Sequence, residues 1–114
     1  MKPFVARCTP WGTIQTGDFF QQLTPIEKMA VIAHENAHIA SHDALKRLWW
    51  LLSLKLLREP EWVKAKCREQ EFAADRCVKE QGLGWGMKSF LIRFPHPPGA
   101  LHPGTKERLG ALNG

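Results

Sequence analysis

The residues of this chain best suited to chemistry lie between Thr24 and Asp43, TPIEKMAVIAHENAHIASHD, where His34, Glu35 and His38 stand in the order HExxH. Four residues advance a helix by about 6 Å and bring it round to nearly the same face, so two imidazoles can converge on one ion at about 2.0–2.1 Å each. Glu35 sits one step round the helix, free to hold a water and take its proton. The chemistry this suits is hydrolysis by a zinc-activated water with Glu35 as general base. A chance match on an ordinary amphipathic helix competes with that reading, and the helical context favours the metal.

The helix that must position these residues has a specified start. Thr24 and Glu27, three residues apart, form a capping box, and Pro25 takes the first helical position, where its missing N–H costs nothing. Ile26, Met29, Ala30, Ala33 and Ala37 recur at helical spacing and predict the apolar stripe that buries the helix, with His34 and His38 beside it. The stretch reads as one helix through Asp43.

Two histidines need a third protein ligand, and its place along the chain separates the classes of zinc hydrolase. The metzincin pattern HExxHxxGxxH fails, because Ser41 and Ala44 stand where it wants glycine and histidine. His42 shares the face but lies about 12 Å beyond His34, too far to share one ion with His34 and His38, and reads as a surface or helix C-terminal histidine. The better candidate lies in REQEFAADR. There Glu71 and Asp75 stand four apart among small and apolar residues, so that Glu71 would complete a His2Glu site and Asp75 would accept the N–H of a ligating imidazole. Glu69 is about 200° away from Glu71 round the helix and is excluded. A solvated acidic face paired with Arg68 and Arg76 is the competing reading of this pair.

The ordered series TIQTGDFFQQLTPIEKMAVIAHENAHI, REQEFAADR and HPGTKERLGAL resembles the gluzincin metallopeptidases of the CAAX prenyl protease and HtpX-like heat-shock protease group. The beta-lactam sensor metalloproteases and the minimal soluble gluzincins look related too. The resemblance covers most of the chain from Thr13 onward. It implies one Zn2+ per chain held by His34, His38 and Glu71, general base Glu35, and Asp75 supporting a ligand. It further implies late-segment residues His102 and Arg108 near the substrate: His102 to stabilise an oxyanion, Arg108 as a fixed positive partner for a carboxylate or a substrate carbonyl. A loop histidine bonded to backbone remains the alternative for His102, and His96 has no such match. Asn36 and Ala37 stand where the family often has Leu-Gly, and the membrane-spanning hairpins of its larger members have no counterpart here.

At 114 residues the chain has room for one domain, 1–114, and no second catalytic domain. The net charge of +5 is scattered, with no basic run and no nucleic-acid motif, so no nucleic-acid partner is expected. Three cysteines without a CxxC predict reduced thiols and a cytoplasmic location. Cys8 could reach the zinc, and a buried or surface thiol is the alternative. No secretory signal and no bilayer-spanning stretch is legible.

The expected fold is mainly α (α+β), a minimal zincin-like domain. Phe4 to Cys8 and Thr13 to Thr16 predict a small N-terminal β-hairpin about Thr9-Pro10-Trp11-Gly12, which either packs over the helix or pairs with an extended substrate. Gly17 to Leu23 reads as a turn with a short helical piece. A second helix is expected from about Ala44 to Arg58, ending before Pro60, and a third from Trp62 to Gln81, returning antiparallel to bring Glu71 to the histidines. Trp85 to Arg93 predicts a fourth helix, FPHPPGALHPG a surface loop, and Thr105 to Leu112 a closing helix. On the second helix, Leu45, Leu48, Trp49, Leu52 and Leu56 would dock on the core. Trp50, Leu54 and Leu57, flanked by Lys46, Arg47 and Arg58, make a second strip, either covered within the monomer or used for self-association or peripheral membrane contact.

The function these expectations add up to is zinc-dependent hydrolysis of peptide bonds in a peptide or protein substrate. The endopeptidase assignment comes from the resemblance alone. Two alternatives stand beside it: a zinc-stabilised, non-catalytic interaction module, and a tail-blocked latent enzyme. Glu35 argues against the module, since a structural site needs no base. A fourth protein ligand would favour the module, an open fourth position facing Glu35 the enzyme.

Overall fold

The computed structural model describes residues 6–95 and 103–113, and the protein is mainly helical with one small sheet. Strands β1 (Ala6–Cys8) and β2 (Ile14–Thr16) pair antiparallel, Arg7 opposite Gln15 and Cys8 opposite Ile14. The turn between them is closed by Thr9 N–H donating to Thr13 O at 2.8 Å, with Gly12 at φ 88°, a conformation that glycine adopts without a Cβ clash. This is the expected hairpin, although Phe4 lies outside the described residues.

A 3-10 turn at Asp18–Gln22 feeds helix α1 (Pro25–Ala40). The capping box forms as expected: Glu27 N–H donates to Thr24 Oγ1 at 3.4 Å and Thr24 N–H to Glu27 Oε1 at 2.9 Å. The buried stripe, however, is rotated from the one expected. Ile26 and Met29 are exposed, whereas Glu27, Ala30, Val31, His34 and His38 are buried. Glu27 is the reason: Ser89 Oγ donates to its Oε2 at 2.7 Å and Arg93 pairs with its Oε1, so a satisfied carboxylate occupies the face that hydrophobicity alone assigns to Ile26.

Helix α1 also stops earlier than expected. Ser41 caps it, His42 adopts φ 56°, and α2 (Asp43–Leu52) begins immediately after. His42 therefore sits at a left-handed break rather than on the continuing helix face, and the break turns Asp43 back onto His38. A second break, at Leu54 with φ 62°, divides the expected Ala44–Arg58 helix into α2 and α3 (Lys55–Arg58). No glycine, proline or asparagine marks that position.

The docking expected of the second helix is met only in part, with Leu48 and Leu56 half-buried. Leu45, Trp49 and Leu52 are exposed, and α2 is anchored instead by Asp43, by Arg47 and by Trp50, whose ring meets Trp62 edge-on at 5.3 Å. These three anchors follow the i, i+4, i+7 spacing of one helix face. The strip of Trp50, Leu54 and Leu57 is likewise divided, with Trp50 half-buried and both leucines exposed.

The helical stretch stops before Pro60 as expected, and Pro60 itself starts the next helix, two residues before the expected Trp62. Helix α4 (Pro60–Glu80) has it at the first turn, and closes at Gln81 before Gly82 at φ 79°. Helices α5 (Gly84–Arg93) and α6 (Thr105–Asn113) complete the chain. The core lies where α1, α4, α5 and α6 meet, built from Ala30, Ala33, Val78, Met87, Leu91 and Leu112. All three cysteines are free. No described helix is long and apolar enough to cross a membrane.

Candidate metal centre

His34 and His38 leave the buried face of α1 toward α4. His34 lies against both Glu71 and Asp75, while His38 reaches Glu71, so contacts climb α1 as they descend α4. This is the order of an antiparallel pair, and it places the glutamate of REQEFAADR between the histidines.

The donor atoms are close enough to share one ion. His34 Nε2 and His38 Nε2 are 3.1 Å apart, Glu71 Oε2 is 3.0 Å from the former, and Glu71 Oε1 is 3.3 Å from the latter. Ligands held about 2.0–2.1 Å from a tetrahedral ion stand about 3.3–3.4 Å from one another. The observed separations are within a few tenths of an ångström of those edges. Among the described residues, these three are the group of side chains able to hold a metal.

Hydrogen bonding behind the donors decides what they offer. His38 Nδ1 is 2.7 Å from Asp43 Oδ2, a carboxylate that accepts only, so the ring's proton belongs on Nδ1 and Nε2 presents its lone pair. His34 Nδ1 is 2.9 Å from Asp75 Oδ1, but too oblique for a formed hydrogen bond, and is the buried side-chain polar atom without a hydrogen-bond partner. The contact is still an electrostatic one, and it favours the same tautomer. Two imidazole lone pairs and a carboxylate then face one another, an arrangement that requires a cation or a proton among them. Burial works against charging His34, yet Asp75 and Glu71 outweigh it and raise its pKa to about 9. Burial likewise opposes ionisation of Glu71, and the two histidines overcome it and hold the carboxyl well below its usual range.

The supporting carboxylates are fixed in turn. Arg108 grips Asp75 with two parallel bonds, Nε to Oδ2 at 2.8 Å and Nη2 to Oδ1 at 2.7 Å, both partners buried. Such a fork fixes orientation as well as charge. Arg108 is thus the fixed positive partner of a carboxylate, that of Asp75, which is the first of the two roles expected of it. Arg47 of α2 reaches Glu71 Oε1 at 3.3 Å and Gln70 Oε1 at 2.6 Å.

Glu35 is buried beside the three donors and feels the charges of His34, His38 and Glu71; burial raises its carboxyl pKa against the pull of the two histidines. Its neighbour on β1 is Cys8, whose thiol is pushed up to about 11 by burial and by the Glu35 carboxylate, and so stays protonated at neutral pH. Cys8 is not among the grouped donors. A cleft of about 240 Å³ adjoins His38, between the hairpin turn and the α1–α2 junction, with Trp11, Ile39, His42 and Leu45 in its walls.

The structure thus brings together His34, Glu35, His38, Glu71, Asp75 and Arg108. His102, like His96, lies outside the described residues. Asp43 and Arg47 were missed by the sequence reading. The signal for Asp43 was an acid five residues after His38, which becomes a neighbour only because His42 breaks the helix. No protein-family model, curated protein or solved structure matches the chain.

Proposed function

We propose that the protein is a zinc metallopeptidase of a minimal, zincin-like form, resembling the gluzincins, and that it cleaves peptide bonds within unfolded or extended segments. The observation that carries this is the convergence of two imidazole Nε2 atoms and one carboxylate at 3.0 to 3.3 Å, with Glu35 buried alongside. His34, His38 and Glu71 would hold the ion, and Asp43 and Asp75 keep the imidazoles aimed. Zinc bound there would supply a Lewis acid that lowers the pKa of a water and polarises a scissile carbonyl. Glu35 takes the proton of the attacking water and returns it to the leaving amine. The cleft beside His38 gives a substrate side chain a place next to the donors, and the Cys8 thiol, protonated at neutral pH, does not compete for the metal.

A closed structural site would use a fourth protein ligand and has no use for a base. The three-donor group among the described residues and the buried Glu35 both favour hydrolysis. The test is cleavage of an unfolded protein by the purified chain. Activity that a chelator removes and stoichiometric zinc restores is the expected result; a zinc-loaded chain that leaves every unfolded substrate intact would overturn the proposal.

A further inference from the structure

Helices α2 and α3 present an apolar surface that nothing described covers. Trp49 is 66% exposed, Leu52 67% and Leu57 77%, and Leu45, Leu51 and Leu54 are exposed with them. Six large apolar side chains are exposed within thirteen residues of sequence, interleaved with half-buried ones, a density beyond that of single apolar residues scattered over a surface. The backbone contributes to this: a leucine in the left-handed region costs about 1–2 kcal/mol, and Leu54 accepts that strain at the break between the two helices.

The charge of the same stretch identifies what it faces. Residues 44–58 carry Lys46, Arg47, Lys55 and Arg58; Arg47 is taken by Glu71 and Lys55 by Glu59, which leaves Lys46 and Arg58 as the exposed cations beside the leucines, in a chain of net charge +5. A second copy docking here would set these cations against their own images. An anionic bilayer would neutralise them while taking the leucines and Trp49 into its headgroup boundary.

We infer that the α2–α3 surface binds an anionic lipid bilayer peripherally, through Trp49, Leu52, Leu54 and Leu57 with Lys46 and Arg58 on the headgroups. This stands independently of peptide hydrolysis. Should both hold, α2 links them, because it also supplies Asp43 to His38 and Arg47 to Glu71.

The experiment is co-sedimentation of the zinc-loaded chain with vesicles of phosphatidylcholine alone and of phosphatidylcholine mixed with phosphatidylglycerol, over a range of salt. Binding should be confined to the anionic vesicles, fall with salt, and shift tryptophan emission to the blue. Lys46→Gln/Arg58→Gln should weaken it about fivefold for each charge removed. Leu52→Gln/Leu57→Gln, which leaves the charge intact, should weaken it by more than about tenfold. These side chains are exposed, and unchanged circular dichroism and zinc content will show that both variants keep the fold. Absence of binding to either vesicle, or equal and salt-independent binding to both, would overturn the inference. So would a concentration-dependent dimer that Leu52→Gln/Leu57→Gln dissolves in a chain that ignores lipid.

Discussion

The histidines and the carboxylates behind them divide the work, and substitutions should separate their shares. In the proposed centre Glu71 contributes a donor oxygen, so Glu71→Ala should lose zinc almost completely. Glu69, exposed and turned from the donors, should be replaceable by alanine with zinc affinity unchanged. Asp43→Ala and Asp75→Ala leave all three donors in place but remove the carboxylates behind the rings, and each should weaken zinc binding about 10–100-fold. Competition with a chromophoric chelator measures all four. HExxH and the Glu71–Asp75 pair were legible because their spacing within one helix sets their geometry. Asp43 was not, since its position depends on a left-handed residue between two helices, and for Arg108 a sequence does not show which of a carboxylate and a substrate carbonyl it partners.

Among the elements, α1 and α5 are held together by a polar clamp and a close backbone approach. Glu27 is fully buried and receives Ser89 and Arg93 from α5. Its burial opposes ionisation, but hydrogen bonds from Thr24 and Ser89 and the charge of Arg93 outweigh this and lower its pKa below 4.5. A carboxyl depressed in the fold stabilises it above the unfolded value and loses that contribution as pH falls through the folded one. Glu27→Gln should therefore cost about 1–3 kcal/mol at neutral pH and progressively less in acid. Urea unfolding of chelated samples at several pH values checks this without interference from metal loss.

Gly86 marks the close approach itself: a Cβ there would lie 2.5 Å from the Ile26 carbonyl oxygen. Alanine in a helix gains about 0.5–1 kcal/mol over glycine, but a clash with backbone that cannot yield costs about 1–3 kcal/mol. Gly86→Ala should come out destabilising in thermal unfolding. Hydrophobic periodicity placed most of the helices but misread two faces. On α1 the satisfied Glu27 took the inner position from Ile26, and on α2 polar anchors took it from the leucines.

For the whole molecule, zinc bound in the proposed centre would couple to folding. The buried apolar residues described are mostly small to medium, and the candidate metal donors tie α1 to α4 at the edge of that core. An ion that binds the folded chain and not the unfolded one raises stability by about 2.7 kcal/mol at a hundredfold excess over its dissociation constant. Melting temperature should rise with free zinc in the native chain and stay flat in Glu71→Ala. The central claim, that Glu35 is the base of a zinc-dependent peptidase and not a structural residue, is tested most directly by Glu35→Gln, with zinc content and peptide hydrolysis measured on the same samples. The expected result is one zinc per chain in both proteins and hydrolysis only in the native one. Hydrolysis by zinc-loaded Glu35→Gln at the native rate would contradict the claim.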